Sequence, residues 1–491
     1  MLFNSHIFIF IFLPVVIFVY GLLHKYKYNE LMLAWLVLMS LVFYAWWDVV
    51  YLSLIIASII INYAMGMLIA RAGEDNKGKV LTFGVLLNLS VLAYYKYAFF
   101  LVSTVNAVFE YEYSINNIVL PLAISFFTFQ QIAYLVDVRR STVVEHDFMH
   151  YTLFVTFFPQ LIAGPIVHHK EMMPQFVDKL KGVNYKDLSI GATIFIIGLF
   201  KKVLIADPIS DFIDPLYASS NMATIDTITA WVMVLGFSFQ IYFDFSSYSD
   251  MAVGIARMFS IRLPINFYSP YKANNIIEFW RRWHITLSRF LRDYLYIPMG
   301  GNRKGKVLKY RNLVITMLLG GLWHGASWNF VLWGGIHGVY LMINHAWHYI
   351  RNIVIPNYRS SVFGHAVSVV VTFVCVSIAW LFFRVTDMDL ATNVLLKLVQ
   401  FSNFELNAIM LHKKEIGILL GLVFFVWFFP NTYQIMRRYN PVVGLRGFMD
   451  SGGKGFVVWR PTRTWSLIIS FMLMMSVIYM YNSTEFVYFQ F

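Results

Sequence analysis

The sequence predicts an all-α, polytopic integral membrane protein with about ten to thirteen membrane-embedded helices. Of its 491 residues, 59% are hydrophobic and only 13% are charged, whereas soluble domains typically carry about a quarter charged residues. The apolar residues also run in long blocks, and a helix needs about 20 apolar residues to cross a hydrocarbon core. Basic and acidic connections alternate between the blocks, as expected for loops on opposite sides of a membrane.

The N-terminal part, residues 1–136, is predicted to be a run of ordinary membrane helices. Its apolar blocks cover 7–23, 31–46, 51–70 and 80–102, followed by a less regular block at 118–136. The first block has no basic segment before it and no small-residue cleavage site after it. We therefore expect a retained first helix rather than a signal peptide.

The central part, residues 137–350, departs most from ordinary membrane helices and is the predicted catalytic core. The apolar stretch 151–168 contains Phe157-Phe158-Pro159-Gln160 and Gly164-Pro165, which predicts a broken or re-entrant segment. Further apolar blocks lie at 187–206, 228–243, 312–334 and 334–350.

A strongly basic segment runs from 271 to 311 and contains ten Lys or Arg residues but only two acidic residues. Within it, 279–296 is predicted to be an amphipathic helix lying in the membrane interface. Trp280, Trp283 and Leu287 share one side of this helix, and four arginines lie on or near the other: Arg281, Arg282, Arg289 and Arg292. Composition alone supports a lipid-anchoring helix as well as it supports a binding surface.

The C-terminal part, residues 351–491, contains apolar blocks at 362–383, 416–430 and 465–481. The only cysteine, Cys375, lies in the first of them, so an intramolecular disulfide is excluded. The whole chain is interpreted as a single membrane domain.

The net charge of +12 is explained by basic loops that face the cytoplasm and the anionic lipid headgroups there. It does not indicate a nucleic-acid partner. Short basic connections lie near Lys25–Lys27, Arg71–Lys79, Arg139–Arg140 and Arg460–Arg463, whereas 103–117 and 207–225 are acidic and lack Lys and Arg. By the positive-inside rule, both chain termini are predicted to lie outside the cytoplasm.

Two polar patterns inside apolar surroundings are candidate sites of chemistry. Residues 237–250 place Asp244 among aromatic residues and serines; such a carboxylate in a membrane helix favours function, although a polar contact between helices explains the serines as well. Residues 320–330 place His324 among glycines, whose small size would let a substrate or another backbone approach.

Histidine suits proton transfer at neutral pH, but a buried, hydrogen-bonded histidine explains a lone His324 equally well. His284, in the basic segment, is a second candidate, while His337 and His345 carry weaker signals. The spacing of histidines and carboxylates predicts no metal site.

Two longer stretches closely resemble the core signature of the membrane-bound O-acyltransferase family. They are FWRRWHITLSRFLRDYLYIPMGGNR at 279–303 and GGLWHGASWNF at 320–330. The resemblance is strongest to the bacterial branch that contains the alginate O-acetyltransferase membrane subunit. It extends to the opening segment, to FFPQLIAGPI at 157–166, to residues 239–258 and to the tail EFVYFQF at 485–491.

The resemblance implies a helical shell around a funnel or tunnel, with His324 as the essential histidine and His284 at the second signature position. It implies acetyl-CoA as the cytoplasmic acyl donor, with phosphate contacts expected from Arg281, Arg282, Arg289 and Arg292. Asp244 and His284 are candidate orienting groups.

The same resemblance implies a bacterial inner-membrane enzyme and a separate periplasmic acetyltransferase of the SGNH type that completes O-acetylation of an exopolysaccharide such as alginate. Membrane lipids are the other expected partners. A transporter or flippase and a structural scaffold are the alternative interpretations.

Overall fold

The structure is a computed structural model of the whole chain. It describes residues 1–116, 118–140, 144–177, 182–218, 225–303, 305–355, 361–400, 406–449, 457–482, 484 and 486–487. Of the predicted tail signature at 485–491, only Phe486 and Val487 lie within these ranges.

The described residues are helical throughout, apart from turns, loops and one isolated bridge between Pro264 and Val443. The predicted all-α class is therefore confirmed. By its internal contacts the chain forms two compact units. Unit 1 comprises 1–199, 248–265 and 438–447, and unit 2 comprises 200–247, 266–437 and 448–491. The predicted division into 1–136, 137–350 and 351–491 stays a prediction.

Unit 1 contains the N-terminal helices. Their bounds are α1 Leu13–Lys25, α2 Asn29–Ala45, α3 Val50–Arg71, α4 Glu74–Leu92, α5 Ala98–Phe109, α6 Ile124–Arg139, α7 Phe148–Thr156, α8 Phe158–Leu161, α9 His169–Val177 and α10 Tyr185–Lys201. Short π-helical segments precede α1 and connect α4 to α5.

Unit 2 contains most of the remaining helices. Their bounds are α11 Asp207–Ala218, α12 Thr227–Met258, α13 Ile276–Arg282, α14 Ile285–Leu291, α15 Lys306–His324, α16 Trp328–Val354, α17 Val362–Arg384, α18 Met388–Val399, α19 Leu406–Leu411, α20 Lys413–Phe428, α21 Thr432–Ile435, α22 Arg446–Met449 and α23 Arg463–Tyr479. The last turns of α12 and the start of α22 belong to unit 1.

Six helical segments in the described ranges are long and apolar enough to cross a membrane. They are Phe8–Lys25, Val50–Arg71, Glu74–Phe109, Tyr185–Ala218, Thr227–Met258 and Val362–Arg384, and α2 and α23 are shorter apolar helices. The chain is therefore a multi-pass membrane protein, as predicted. The larger predicted number of embedded helices and the central funnel stay predictions.

The interrupted segment that Pro159 and Gly164 predict is present in unit 1. Helix α7 ends before Phe157, whose backbone leaves the helical region, and α8 begins at Phe158. Residues 151–169 are all buried, so protein rather than lipid surrounds the irregular backbone, as membrane proteins require.

Two local predictions are wrong. Residues 207–218, predicted as part of an acidic connection, form α11 and continue the preceding helical segment. The single helix predicted over 279–296 is interrupted at Trp283 and His284, where α13 ends and α14 begins. Hydropathy and amphipathic periodicity could not detect this break, because distant side chains hold it in place.

Helices α15 and α16 form a tight hairpin in unit 2. A Cβ atom on Gly321 would meet the carbonyl oxygen of Phe330, and one on Gly334 would meet the carbonyl oxygen of Met317. Both positions therefore need glycine for the two backbones to approach this closely, as small residues allow in membrane helix pairs. Asn329 donates a hydrogen bond to the carbonyl of Val385, which ties the start of α16 to the end of α17.

Candidate active site

His324 is the last residue of α15 and lies at the closed end of the hairpin. Gly325 follows in an extended conformation, and α16 begins at Trp328. The imidazole is buried, with 5% of the residue exposed. The residues that follow are closer to the surface: Ala326 and Ser327 are partly exposed and Trp328 is exposed. The helix end thus places His324 inside the protein but close to its surface.

Aromatic rings enclose the His324 imidazole. Its ring centroid lies 4.9 Å from that of Trp323, 5.1 Å from that of Trp333 and 5.2 Å from that of Phe383. The Trp333 ring meets the imidazole nearly edge to face, at 89°. This packing restricts the ring and keeps bulk water away from it, which strengthens electrostatic interactions at the site.

The structure brings the two predicted histidines together. The ring centroids of His284 and His324 are 6.3 Å apart. The His284 ring also contacts Phe245 at 4.8 Å and Trp323 at 6.1 Å, measured between centroids. Five elements of unit 2 therefore converge at this point: α12, the break between α13 and α14, α15, α16 and α17.

His284 has a left-handed backbone, with φ of 41° and ψ of 53°. This conformation is costly for a residue with a Cβ atom. Asn266 compensates, because its backbone carbonyl accepts from the Ile285 N–H at 2.9 Å and its side-chain oxygen accepts from the Thr286 hydroxyl at 2.9 Å. The same oxygen lies 3.1 Å from Nδ1 of His284.

These contacts define the chemistry of His284. An amide oxygen only accepts hydrogen bonds, so Nδ1 carries the proton and the lone pair is on Nε2. Complete burial lowers the pKa of His284 from 6.5 to about 3, because the charged form loses its hydration. His284 is thus a neutral imidazole of defined tautomer beside His324, which suits an orienting group rather than a titrating base.

Asp244 lies in a different environment from the one expected. Its Oδ1 is 2.7 Å from Nζ of Lys202, which is also 2.8 Å from Oδ1 of Asp207. Its Oδ2 accepts from the backbone N–H of Val487 at 2.9 Å, and Thr484 donates to Asp207 at 2.7 Å. We call Lys202, Asp207, Asp244, Thr484 and Val487 the charge cluster.

Among the described residues, the side-chain partners of Asp244 include neither histidine. The next residue, Phe245, contacts His284. Asp244 is therefore linked to His284 through its chain neighbour Phe245, and its predicted orienting role stays a prediction.

The four predicted arginines have unequal surroundings. Arg282 pairs with Glu278 at 2.5 Å, and Arg292 pairs with Asp293 at 2.7 Å. Arg281 is exposed and Arg289 is partly exposed. Of the four, Arg292 lines a cavity of about 290 Å³ in unit 2, together with Trp280, Lys309, Met317 and His345. Met317 lies on α15 roughly two helical turns before His324.

The family profile described as MBOAT, membrane-bound O-acyltransferase family, matches residues 75–384. This range includes His284, His324 and the hairpin that carries His324. The chain belongs to the membrane-bound O-acyltransferase family. It is therefore an acyltransferase, as the resemblance implies.

Relatives among known proteins agree with this membrane-bound O-acyltransferase assignment. A peptidoglycan O-acetyltransferase of Helicobacter pylori is 44% identical over 437 residues, covering 83% of this chain and 81% of the relative. The Pseudomonas aeruginosa protein named "Probable alginate O-acetylase AlgI" is 39% identical over 448 residues, covering 90% of this chain and 82% of the relative. A teichoic acid D-alanyltransferase of Streptococcus thermophilus is 29% identical over 241 residues, covering 46% of this chain and 57% of the relative.

Sequence reasoning missed two residues that organise this acyltransferase. Asn266 gives no signal of its own, because its role depends on a fold that brings it to His284. Lys202 has a detectable signal, since a lysine within an apolar stretch needs a partner and Asp244 is an obvious acidic candidate. His337 was assigned a weak signal, yet it lies fully buried beside Trp333.

Proposed function

We propose that this acyltransferase takes an acetyl group from acetyl-CoA at the cytoplasmic side of a bacterial inner membrane and passes it outward for O-acetylation of a polysaccharide. The observation that carries the proposal is the contact between two buried imidazole rings, those of His324 and His284. The names of the relatives that match most of the chain support acetyl as the group and a glycan as the acceptor.

His324 is proposed to act as the general base. When a hydroxyl group of the carrier that takes the acetyl group on to the separate acetyltransferase attacks the thioester carbonyl, a C–O bond forms and the C–S bond breaks. His324 accepts the hydroxyl proton and returns it to the departing thiolate of coenzyme A, so protons balance over the cycle. The C-terminal end of α15, which carries partial negative charge, stabilises the imidazolium that forms between these steps. Transient acylation of the imidazole is the alternative role.

His284 is proposed to orient the reacting groups. Its Nδ1–H is held by Asn266, which leaves a lone pair on Nε2 that can accept a hydrogen bond from the acceptor hydroxyl or from His324. Because the ring stays neutral, it adds no positive charge that would oppose protonation of His324.

The donor is proposed to approach through the cavity that contains Arg292 and Lys309. Both cations can contact phosphate groups, which bind lysine and arginine strongly. Arg282 pairs with Glu278 and does not line this cavity, so we expect little phosphate binding from it. Acetyl-CoA fits this arrangement because one molecule carries both phosphate groups and a thioester.

A separate SGNH-type acetyltransferase outside the cytoplasm is proposed to complete transfer to the glycan. The short connections between the described helices support this division of labour, since none is long enough to form a glycan-binding domain. The N-terminus and the C-terminal tail are proposed to lie on that same, periplasmic side.

The test measures ester-linked acetate on secreted and envelope glycans in a deletion strain. The strain is complemented with wild type, His324→Ala or His348→Ala; His348 is a partly exposed histidine on α16 that serves as the matched control. Wild type and the control should restore acetate. His324→Ala should lose transfer by about a hundredfold to ten-thousandfold, the usual contribution of a general base, while its membrane level is unchanged.

Full restoration by His324→Ala would remove the catalytic assignment and favour a transporter, a flippase or a scaffold. Mass spectrometry of the purified protein after incubation with acetyl-CoA distinguishes the two roles of His324. An acetylated His324 peptide would identify an acyl carrier in place of a base.

A further inference from the structure

A cluster of buried polar atoms near His324 has no role in the mechanism above. His337 is fully buried, and neither of its ring nitrogens has a hydrogen-bond partner among the described residues. The indole nitrogens of Trp280 and Trp333 are also buried and lack a partner in the same part of the chain. An unsatisfied buried polar group is costly, and native proteins contain few of them.

These polar atoms belong to three rings that touch one another. The His337 ring centroid lies 5.1 Å from that of Trp280 and 4.9 Å from that of Trp333. The Trp280 and Trp333 rings are 5.8 Å apart. The His337 ring centroid also lies 6.1 Å from that of Phe279, 5.9 Å from that of Tyr340 and 6.3 Å from that of Trp380, so aromatic rings surround the group. We call Trp280, Trp333 and His337 the polar ring cluster.

The polar ring cluster lies between the proposed donor cavity and His324. Trp280 lines the cavity that contains Arg292 and Lys309. On the other side, the Trp333 ring contacts the His324 imidazole at 5.1 Å. A donor whose phosphates occupy the cavity and whose thioester reaches His324 would therefore extend past these rings.

The atoms of the cluster select a particular chemical group. An imidazole in its neutral form supplies one donor and one acceptor, and each indole supplies one donor. Two of these three donors can bind the carbonyl oxygen of a secondary amide, which has two lone pairs, and the acceptor can bind its N–H. The arm that joins the phosphates of coenzyme A to its sulfur contains such amides.

We propose that the polar ring cluster, with His337 at its centre, binds an amide group in the arm of the acyl donor and positions the thioester at His324. This inference rests on the proposed function, because it takes acetyl-CoA as the donor. His337 is a positioning residue in this proposal, and chemistry stays with His324.

The test measures binding to the full-length protein in lipid nanodiscs. The probe is the acetyl-CoA ketone analogue in which a methylene replaces the sulfur, so that no transfer occurs. His337→Phe keeps an aromatic ring and removes both polar atoms, and we expect it to weaken binding about tenfold. His337→Gln restores one donor and one acceptor and should recover part of the loss. His348→Phe, on the same helix, should bind as wild type does.

Adenosine 3′,5′-bisphosphate, the nucleotide part of the donor, is the second probe. It lacks the amide arm, so His337→Phe should bind it as tightly as wild type. Equal weakening of both probes would indicate general distortion and overturn the proposal. If His337→Phe does not fold, Trp333→Phe is measured instead. Trp333 belongs to the polar ring cluster but does not line the donor cavity, so the change should weaken analogue binding several-fold without affecting the nucleotide.

The outcomes separate the two proposals. If wild type does not bind the ketone analogue, acetyl-CoA is not the donor and the proposed function fails. If wild type binds it and His337→Phe binds it equally well, the polar ring cluster holds water only; the amide site is then wrong, while the proposed function stands.

Discussion

At the scale of single residues, His284 shows how tertiary contacts maintain a site. Its left-handed backbone is unfavourable in isolation, and four hydrogen bonds to Asn266, from its own ring, from the Ile285 N–H and from the N–H and hydroxyl of Thr286, compensate for it. Replacing the Asn266 side chain would remove the bonds to the His284 ring and to Thr286 and leave only the one that its backbone carbonyl accepts from Ile285.

The pKa of His284 predicts how stability depends on pH. Folding lowers this pKa from 6.5 to about 3, so between these values the unfolded chain binds more protons than the folded protein. The contribution of the neutral ring to stability is complete above pH 6.5 and declines as the pH falls, by roughly 1.4 kcal/mol per pH unit.

The measurement compares the Tm of wild type with that of His284→Asn, which keeps a polar side chain but does not titrate. The difference in Tm should shrink as the pH is lowered from 7 to about 4.5. Two parallel Tm curves over this range would show that His284 is not buried in its neutral form.

Which residues lie together at the site is predictable from sequence only where a motif contains them. The signature stretches identified His324 and His284, and the structure brings these two rings together. Asp244 was noticed as an isolated carboxylate, but its partner Lys202 lies on another element and only the fold brings the two into contact. Spacing could not relate His337 to His324, because Trp333 lies between them.

At the scale of elements, the α15–α16 hairpin determines where His324 lies. The sequence predicted that small residues near His324 would admit a substrate or another backbone. For Gly321 the structure identifies a backbone, that of Phe330. The break before α14 was not predictable, since the amphipathic pattern of 279–296 continues through it.

Gly321→Ala should loosen this hairpin. The added methyl group would meet the Phe330 carbonyl oxygen, and overpacking of this kind typically costs about 1–3 kcal/mol. Acetyl transfer should fall together with Tm, because His324 follows closely on the same helix.

Gly335→Ala is the matched control for this variant. Its methyl group would meet only a Leu318 methyl carbon, at 3.4 Å, and alanine favours a helix more than glycine does. We expect unchanged or slightly higher Tm. Equal stability of the two variants would contradict the account of the hairpin.

At the scale of the whole molecule, hydropathy and charge were sufficient to predict the class. Long apolar blocks predicted the all-α membrane protein, and most of the clearest blocks coincide with candidate spans. Hydropathy does not reveal which charged residues are buried. It therefore predicts a connection at 207–218, where the structure has a helix whose Asp207 pairs with Lys202.

The orientation of the chain is testable by cysteine labelling. Asn76 is exposed in the first turn of the candidate span Glu74–Phe109, and Glu112 is exposed just after its end. In a Cys375→Ser background, a membrane-impermeant maleimide should label Glu112→Cys in intact cells and Asn76→Cys only after permeabilisation. This follows from the basic residues near Asn76 and the positive-inside rule. The reverse pattern would invert the proposed topology.

The charge cluster has a consequence for biogenesis. Asp244 and the backbone N–H of Val487 are 243 positions apart in the chain. The carboxylates of Asp207 and Asp244 thus enter the membrane long before Thr484 and Val487 have been synthesised. In a nascent or truncated chain that lacks these two residues, the buried carboxylates of Asp207 and Asp244 lose part of their hydrogen bonding. A buried charge without its partners is destabilising. We expect such a chain to be recognised by membrane quality control, because it lacks the contacts that Thr484 and Val487 make.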